Sequence, residues 1–457
     1  MSERQIQGVG SIDGPIVVAG TASGIGLGEM VEVLSPGGVR LGKVLKLTQE
    51  LCFVQVFGGT KDLSCRNTGL RFLGRPFLFT VSDAMLGRIF DGQGNPLDGG
   101  PRIYKGERLN VNGAAINPQV REYPEEFIQT GISAIDGLDS ITRGQKIAIF
   151  SGAGLPHNKI AAQILRQAKI LQEKEPFAVV LAGIGLKKEE AHFFMDSFRS
   201  SEQVLRSVMF LNLAEDPPEE RLLTPRLALT LAEYLAFQKD MHILVILTDM
   251  SNYCQALREI SSFRQELPSR KGYPGYMYTD LASIYERTGR IEGKNGSITQ
   301  IPILTMPNMD ITHPIPDLTG YITEGQIVLS LALYQRGVYP PVDILPSLSR
   351  LMKDGIGEGK TRSDHVNLSS QLYSAYARSK EAESLASIIG EEELSHTDKS
   401  YLDFGRIFEK EFINQDFNQI RSIEETLNLG WHTLRVLPQK ELNRLTKEEI
   451  EEFYPKG

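Results

Sequence analysis

The sequence predicts a multidomain fold with an N-terminal β-barrel, a central α/β domain built on a mostly parallel sheet, and a C-terminal helical domain. Three observations lead to this prediction. Glycine-punctuated strands without a helical period fill the N-terminal part, apolar strands alternate with helical patterns from about Phe127, and strands are missing after about Pro346. A length of 457 residues suits about three domains, which we place at residues 1–75, 76–345 and 346–457.

The N-terminal part is expected to be a small antiparallel barrel. Its candidate strands are residues 16–18, 30–34, 42–47 and 52–57, separated by glycine-rich turns. Gly24, Gly26 and Gly28 have the spacing of a dinucleotide-binding fingerprint, but that fingerprint must open a helix, and an alternating strand follows here. We therefore interpret these glycines as a β-turn.

Composition and charge disfavour several classes of function. The chain has 49 Lys and Arg against 57 Asp and Glu, and this net charge of −8 argues against nucleic acid as the main partner, which would need a basic face. Cys52, Cys65 and Cys254 lack metal-ligand spacing and cannot form a disulfide framework, so a reducing compartment is expected. The first residues have no apolar signal segment, and the apolar runs are too short to cross a bilayer, so any membrane role is expected to be peripheral.

The central part has the pattern of a parallel sheet covered on both faces. Apolar runs at residues 146–150, 177–181, 208–211 and 243–247 predict buried strands with helices between them. A helix is predicted after the first of these strands, beyond a glycine-rich loop. Its apolar residues at helical spacing are Ile160, Ala161, Ile164, Leu165, Ala168 and Leu171.

The C-terminal part shows helical periodicity. One apolar face is predicted from Tyr401, Phe404, Phe408 and Phe412, and a second is predicted from Leu385, Ile388 and Ile389. Residues 355–361, which end in Gly359, Lys360 and Thr361, look like a phosphate-binding loop. However, Asp354 stands where the first glycine is required, and residues 345–350 contain proline and polar residues instead of a buried strand. We interpret residues 355–361 as a linker into the helical domain.

The glycine-rich loop at residues 151–158 has the setting of a phosphate loop without its chemistry. It carries Gly152 and Gly154 between a predicted strand and a predicted helix, but Pro156, His157 and Asn158 replace the required Gly, Lys and Ser/Thr. Proline removes a phosphate-facing N–H, histidine lacks the permanent charge of lysine, and asparagine has no hydroxyl for Mg²⁺. Since charge-assisted hydrogen bonds contribute about 1.5–3 kcal/mol each, triphosphate binding is expected to be weaker by orders of magnitude.

The chain resembles the non-catalytic B subunit, or beta chain, of V-type and A-type rotary ATPases over nearly its whole length. The segments that carry the resemblance are residues 81–88 (VSDAMLGR), 127–136 (FIQTGISAID), 151–158 (SGAGLPHN), 248–250 (TDM), 272–276 (GYPGY), 313–326 (HPIPDLTGYITEGQ) and 345–350 (LPSLSR). The family has an N-terminal β-barrel, an α/β domain like that of P-loop NTPases and a C-terminal helical domain. The resemblance therefore implies the fold that the patterns predict.

The resemblance also implies an assembly and a role for one arginine. In this family three catalytic A subunits alternate with three B subunits around a central stalk, with peripheral stalk subunits outside. Mg-ATP or Mg-ADP lies at the A–B interface, and turnover is coupled to H⁺ or Na⁺ transport through a separate membrane sector. Arg350 is, by resemblance, the arginine finger lent to the A subunit. The chain is expected at the cytoplasmic face of a prokaryotic membrane, contacting it only indirectly.

Other residues also indicate that the chain neither catalyses ATP hydrolysis by itself nor binds a metal ion of its own. By resemblance, Leu186 replaces the glutamate that activates water in the catalytic relatives, and an alkyl group cannot accept a proton. Asp249 ends a strand where phosphate-loop enzymes bind Mg²⁺, but we interpret it as a helix cap or a buried hydrogen-bond acceptor. Glu189 and Glu190 are interpreted as solvated charges on a helix.

Three alternative functions remain open from the residues. One is an autonomous P-loop ATPase that uses Gly359, Lys360 and Thr361. Another is a nicotinamide-dependent oxidoreductase that uses Gly152 and Gly154, although the next strand does not end in the acid that would bind the ribose. The last is a binding scaffold without energetic coupling.

Overall fold

The computed structural model describes residues 4–171, 175–201, 203–264 and 266–454. The N-terminal strands are β1 (Arg4–Gln7), β2 (Ser11–Asp13), β3 (Ile16–Gly20), β4 (Met30–Ser35), β5 (Gly38–Leu47), β6 (Leu51–Val56) and β7 (Gly69–Phe72). They form one antiparallel sheet in the order β1-β7-β4-β5-β6-β3-β2. The predicted antiparallel arrangement is confirmed, and β1, β2 and β7 add to the four predicted strands. Val31 and Val33 are fully buried, whereas Glu32 between them faces Arg71 of the neighbouring strand, because successive side chains point to opposite faces.

The predicted turn between β3 and β4 is confirmed. Gly24 and Gly28 both have a φ of 79°, a left-handed conformation that glycine adopts without a steric penalty. No helix follows these glycines within the described residues 4–72, so they do not form a dinucleotide-binding loop.

The central domain contains fifteen strands and eight helices among the described residues. The strands are β8 (Leu78–Val81), β9 (Ile89–Asp91), β10 (Glu107–Asn110), β11 (Arg121–Glu122), β12 (Phe127–Gln129), β13 (Ile141–Thr142), β14 (Ala148–Gly152), β15 (Lys169–Ile170), β16 (Phe177–Leu186), β17 (Ser207–Leu213), β18 (His242–Thr248), β19 (Gly289–Ile291), β20 (Ser297–Met306), β21 (Gly325–Leu329) and β22 (Val342–Ser349). The helices are α1 (Ser133–Leu138), α2 (His157–Gln167), α3 (Lys188–Arg199), α4 (Pro218–Lys239), α5 (Met250–Phe263), α6 (Met277–Tyr285), α7 (Pro314–Ile322) and α8 (Leu331–Gln335).

The main sheet of this domain is mostly parallel, as predicted. Its strand order is β22-β21-β14-β20-β18-β16-β17-β9, with antiparallel pairing only between β21 and β22 along this path of described strands. Every residue of β18 is buried. Leu244 and Ile246 pack in the core that contains α2 and α3, while Val245 faces the core that contains α4, α5 and α6. Burial on both faces explains why the strand sequence is apolar throughout.

The predicted helix after β14 is confirmed, but its predicted end is wrong. Helix α2 ends at Gln167, and Ala168 is extended, with φ −60° and ψ 134°. The next two residues form β15 and pair with Ile128 and Gln129 of β12. Tertiary pairing therefore overrides a helical pattern that Ala168 and Leu171 would continue.

The prediction that residues 345–350 do not form a strand, and that strands are missing after Pro346, is also wrong. Strand β22 runs to Ser349 as the antiparallel edge of the main sheet. Pro346 is exposed there, at a place where the register against β21 shifts. A proline is tolerated at an edge or an irregularity because its missing N–H breaks no ladder bond.

The C-terminal domain is helical. Its helices are α9 (Met352–Gly355), α10 (His365–Ile389), α11 (His396–Ile407), α12 (Ile423–Leu434) and α13 (Lys447–Phe453), and a π-helix follows α11 at Phe408–Ile413. The predicted aromatic face is confirmed: Phe404 stacks on Phe408, and Phe408 on Phe412, with ring centroids 5.4 and 4.9 Å apart. The second predicted face is not a core face, because Ile388 is 78% exposed at the end of α10, with Leu385 and Ile389 also exposed.

Candidate functional site

The loop at residues 151–158 lies at the carboxyl end of β14, in the middle of the parallel sheet. Strands β20 and β18 follow on one side in the sheet order, and their carboxyl ends lie at the same edge. This edge is where ligands bind in open α/β sheets. The backbone turns through Gly154, whose φ is 80°, before α2 begins at His157.

Internal contacts fix the conformation of the loop at residues 151–158. The Ser151 hydroxyl and the His157 Nδ1 atom are 3.1 Å apart, which turns the imidazole back toward the strand. The Leu155 N–H donates to the Gly152 carbonyl at 3.1 Å, and the Met309 thioether fills the space that a Cβ on Gly152 would need. Pro156 stands at the N-cap of α2, where it has no N–H to offer.

Asn158 is held on both sides of its amide. Its Nδ2 donates to Glu190 Oε1 at 3.1 Å, and its Oδ1 accepts from the Thr248 hydroxyl at 3.1 Å. The interpretation of Glu190 as a solvated charge is therefore wrong, since Glu190 is half-buried and bridges α3 to the loop. Glu189 is exposed, as expected. The Glu190 contact joins residues 32 positions apart, and no local pattern in the sequence marks it.

Asp249 is a helix cap, as interpreted from the sequence. Its Oδ1 accepts from the Ser251 N–H at 2.7 Å and from the Thr305 N–H at 3.2 Å, and its Oδ2 accepts from the Thr305 hydroxyl. Leu186, at the end of β16, is 2% exposed. Neither position presents a free carboxylate to the loop.

The side chains of this loop do not fit a Mg-bound triphosphate. Ser151, His157 and Asn158 already contact protein partners, and Pro156 removes an N–H. Lys159, the next residue, faces elsewhere: its ammonium lies 4.3 Å from the Tyr339 ring centroid. Across the described ranges, no group of three or more His, Cys, Asp or Glu side chains is placed to hold a metal ion.

The second glycine-rich segment, residues 355–361, is a turn between α9 and α10. Thr361 uses its hydroxyl to accept from the Gly357 N–H at 2.9 Å, and it contacts His365 Nδ1 at 3.0 Å. Lys360 donates to the Asp354 carbonyl. The segment follows a short helix and an antiparallel edge strand, so it lacks the parallel strand that a phosphate loop requires.

Arg350 lies directly after β22, and its side chain is exposed. Its guanidinium makes no hydrogen bond or ion pair with any residue in the described part of the chain. Its backbone, by contrast, is anchored, because the Arg350 N–H donates to the Glu324 carbonyl at 3.0 Å.

A buried hydrogen-bond frame surrounds this anchor. Gln145, which is fully buried, donates from Nε2 both to the Ser349 hydroxyl at 3.0 Å and to the Glu324 carbonyl at 3.3 Å. Ser349 in turn donates to the Ser140 carbonyl at 2.8 Å. The Lys146 ammonium pairs with the Glu324 carboxylate, and the Glu324 N–H donates to the Lys146 carbonyl at 2.7 Å. Only tertiary structure brings residues 140–146, 324 and 349 together.

Comparisons with known proteins agree with this architecture. Residues 9–74 match the β-barrel domain of the ATP synthase alpha/beta family, residues 131–349 match its nucleotide-binding domain, and residues 354–454 match the C-terminal domain of V and A type ATP synthases. The described residues contain no helix that is both long and apolar enough to span a membrane.

Individual relatives cover nearly the whole chain. A V-type ATP synthase beta chain from Halothermothrix orenii is 58% identical over 455 residues, which is 99% of this chain and 98% of the relative. An ATP synthase subunit from Nanoarcheaum equitans, described as unique, is 41% identical, with a TM-score of 0.73 over 92% of this chain and 98% of that one. The chain therefore belongs to the family of V-type and A-type ATP synthase beta chains, the B subunits of rotary ATPases.

Proposed function

We propose that the chain is a non-catalytic, regulatory B subunit that completes the catalytic site of a neighbouring A subunit by extending Arg350 across the interface. The observation that carries this proposal is a contrast. The polar side chains of the loop at residues 151–158, Ser151, His157 and Asn158, contact other protein groups, whereas the Arg350 guanidinium is exposed and has no partner within the described residues.

The chemistry of arginine suits this role. A guanidinium stays charged at all relevant pH values and donates two parallel hydrogen bonds to a phosphoryl group. Placed beside the γ-phosphoryl of Mg-ATP in the A subunit, Arg350 neutralises charge that develops during transfer, an effect on the order of 10³–10⁵ in rate. The chain itself contributes no proton acceptor at Leu186 and no lysine at His157.

The proposed assembly is a ring of three A and three B subunits around a central stalk. It is held by peripheral stalks on the cytoplasmic face of a membrane. Mg-ATP or Mg-ADP binds at A–B interfaces, and turnover is coupled to H⁺ or Na⁺ transport by a separate membrane sector. The V-type ATP synthase name of the relative from Halothermothrix orenii supports this assembly.

The test is ATP hydrolysis by the complex reconstituted with catalytic A subunits and variant B chains. Arg350→Ala should leave assembly intact and lower kcat by about 10³-fold or more, and Arg350→Lys should restore little, since lysine lacks the planar fork. Lys353→Ala, an exposed cation three residues along, is the matched control and should change neither assembly nor rate. Full activity of the Arg350→Ala complex would refute the proposed role.

The isolated chain provides a second test. It should hydrolyse Mg-ATP at no more than the background rate. Turnover by the isolated chain that disappears in Lys360→Ala would instead support the autonomous ATPase.

A further inference from the structure

A cavity of about 430 Å³ lies between the N-terminal sheet and the central domain. Strands β5 and β6 form one wall, and residues of α4, α5 and α6 form the other. None of its lining residues belongs to the loop at residues 151–158 or to the segment that carries Arg350. Apolar side chains, including Leu222, Leu223 and Leu257, alternate around it with three cations, Lys43, Arg226 and Arg264.

Lys43 brings to this cavity an ammonium without a direct ion-pair partner in the described chain, and the charge of Asp280 opposes the lowering of its pKa. Its side chain makes no hydrogen bond or ion pair with the residues that the structure describes. Burial and then the charges of Arg226 and Arg264 lower the pKa of Lys43. Lys46 on the same strand differs, because its ammonium lies 5.5 Å from the Phe53 ring centroid and does not line the cavity.

The two arginines keep unused donors. Arg226 donates only through Nη2, to Asp280 at 3.0 Å, Ser283 at 3.2 Å and Tyr253 at 3.4 Å, so its Nε and Nη1 have no acceptor in the described chain. Arg264 reaches the Tyr276 hydroxyl at 3.5 Å and Glu266 at 3.6 Å through Nη1, and its Nε is buried without a partner among the described residues.

The acids that face the cavity do not balance these donors. Asp280 is shared between Arg226 and the Tyr253 hydroxyl. Burial raises the pKa of Glu219 to about 7, so the Glu219 carboxyl carries only part of a negative charge near neutrality, and Asp280 is the other acid that lines this wall. The three cations that line the cavity outnumber its two acids, and both Glu219 oxygens are buried without a donor among the described residues. The apolar walls strengthen electrostatic interactions inside the cavity.

We propose that this interdomain cavity is a binding site for a small oxyanion of the phosphate class, held by Lys43, Arg226 and Arg264. A phosphate group presents several acceptor oxygens in a geometry that matches guanidinium groups. Because Lys43 belongs to the N-terminal sheet and both arginines belong to the central domain, the bound anion bridges the two domains. Binding to the folded state alone stabilises that state by mass action.

The first test measures the reactivity of Lys43 in the full-length chain. Acetic anhydride labels amines, and peptide mass spectrometry gives the rate at each lysine. Saturating inorganic phosphate, at ionic strength matched with chloride, should slow labelling of Lys43 about tenfold or more. Labelling of Lys46 should not change. A Lys43 rate that phosphate leaves unchanged, or that falls equally for Lys46, overturns the proposal.

Variants and a second ligand sharpen the test. Arg264→Gln should abolish the protection, while Arg435→Gln, an exposed arginine outside the cavity, should retain it. Phenyl phosphate in place of phosphate distinguishes the two sources of the oxyanion. Protection of Lys43 at a lower concentration of phenyl phosphate than of phosphate assigns the site to a phosphate ester. Protection at an equal or higher concentration assigns it to free phosphate.

A thermal readout keeps the proposal testable if Arg264→Gln does not fold. Phosphate should raise the Tm of the unmodified chain and should leave the Tm of Lys43→Met unchanged. An equal increase for Lys43→Met overturns the proposal.

Discussion

Arg350 has an exposed side chain on a backbone that hydrogen bonds hold in place. Its guanidinium is exposed, while its backbone N–H is bound to Glu324, whose carbonyl also accepts from Gln145. Gln145 also donates to the Ser349 hydroxyl, so one buried amide holds both the residue before Arg350 and the carbonyl that accepts from its N–H. In the proposed function Arg350 contacts a phosphoryl oxygen of another subunit, and a fixed backbone position would matter for that role because displacement by about 1 Å can cost about 10²-fold in rate.

At the residue scale, Gln145→Leu should therefore impair the complex without removing Arg350. We expect kcat for ATP hydrolysis to fall about 10- to 100-fold, with KM for Mg-ATP nearly unchanged, because the Arg350 segment loses its position. Gln163→Leu is the matched control, since Gln163 is also fully buried but contacts Tyr339. Equal loss in both variants would show a general packing defect instead of a positioning role.

At the scale of elements, Asp249 has a structural role at the junction between β18 and α5. The Asp249 carboxylate caps α5 through the Ser251 N–H and ties it to β20 through Thr305. In a phosphate-loop enzyme the corresponding acid binds Mg²⁺. Here its oxygens are occupied by internal donors.

Asp249→Ala should lower the free energy of unfolding by about 1–3 kcal/mol, because it removes a cap and leaves buried donors without an acceptor. Urea denaturation measures this change. Ser395→Ala, which removes the exposed cap of α11, should cost about 1 kcal/mol or less. An Asp249→Ala chain as stable as the original would contradict the structural role.

At the scale of the whole molecule, His365 couples the helical domain to the central domain. It lies at the start of α10, where its Nε2 is 3.2 Å from the Gly137 carbonyl of α1 and its Nδ1 is 3.0 Å from the Thr361 hydroxyl. Burial lowers the pKa of His365 to about 4 from the usual 6.5. Between pH 6.5 and pH 4 the His365 imidazole is protonated in the unfolded chain but not in the folded chain. The free energy of unfolding therefore falls as the pH drops from 6.5 to 4.

Between pH 7 and pH 4, the free energy of unfolding of the chain should therefore fall by roughly 3 kcal/mol more than that of His365→Gln. Urea denaturation followed by the fluorescence of Trp431, the single tryptophan, measures it in the helical domain. His396→Gln, at an exposed position, should leave the pH profile unchanged. Parallel profiles for the chain and His365→Gln would contradict the coupling.

The sequence alone determined the fold class and the chemical character of the loop. Period-two and helical patterns report which residues are buried, so the buried strands and the aromatic face of α11 and the following π-helix could be read locally. The replacements at Pro156, His157 and Asn158 also concern chemistry that belongs to each residue.

Tertiary structure decided what depends on residues far apart in the chain. Pairing with β12 ended α2, and an edge position allowed a strand through Pro346. The bond from Asn158 to Glu190 and the frame around Arg350 join segments that no local period connects. Hydrogen bonds of this kind depend on the path of the whole backbone, because they require a particular distance and direction between donor and acceptor. Residue spacing in the sequence indicates burial but not this geometry.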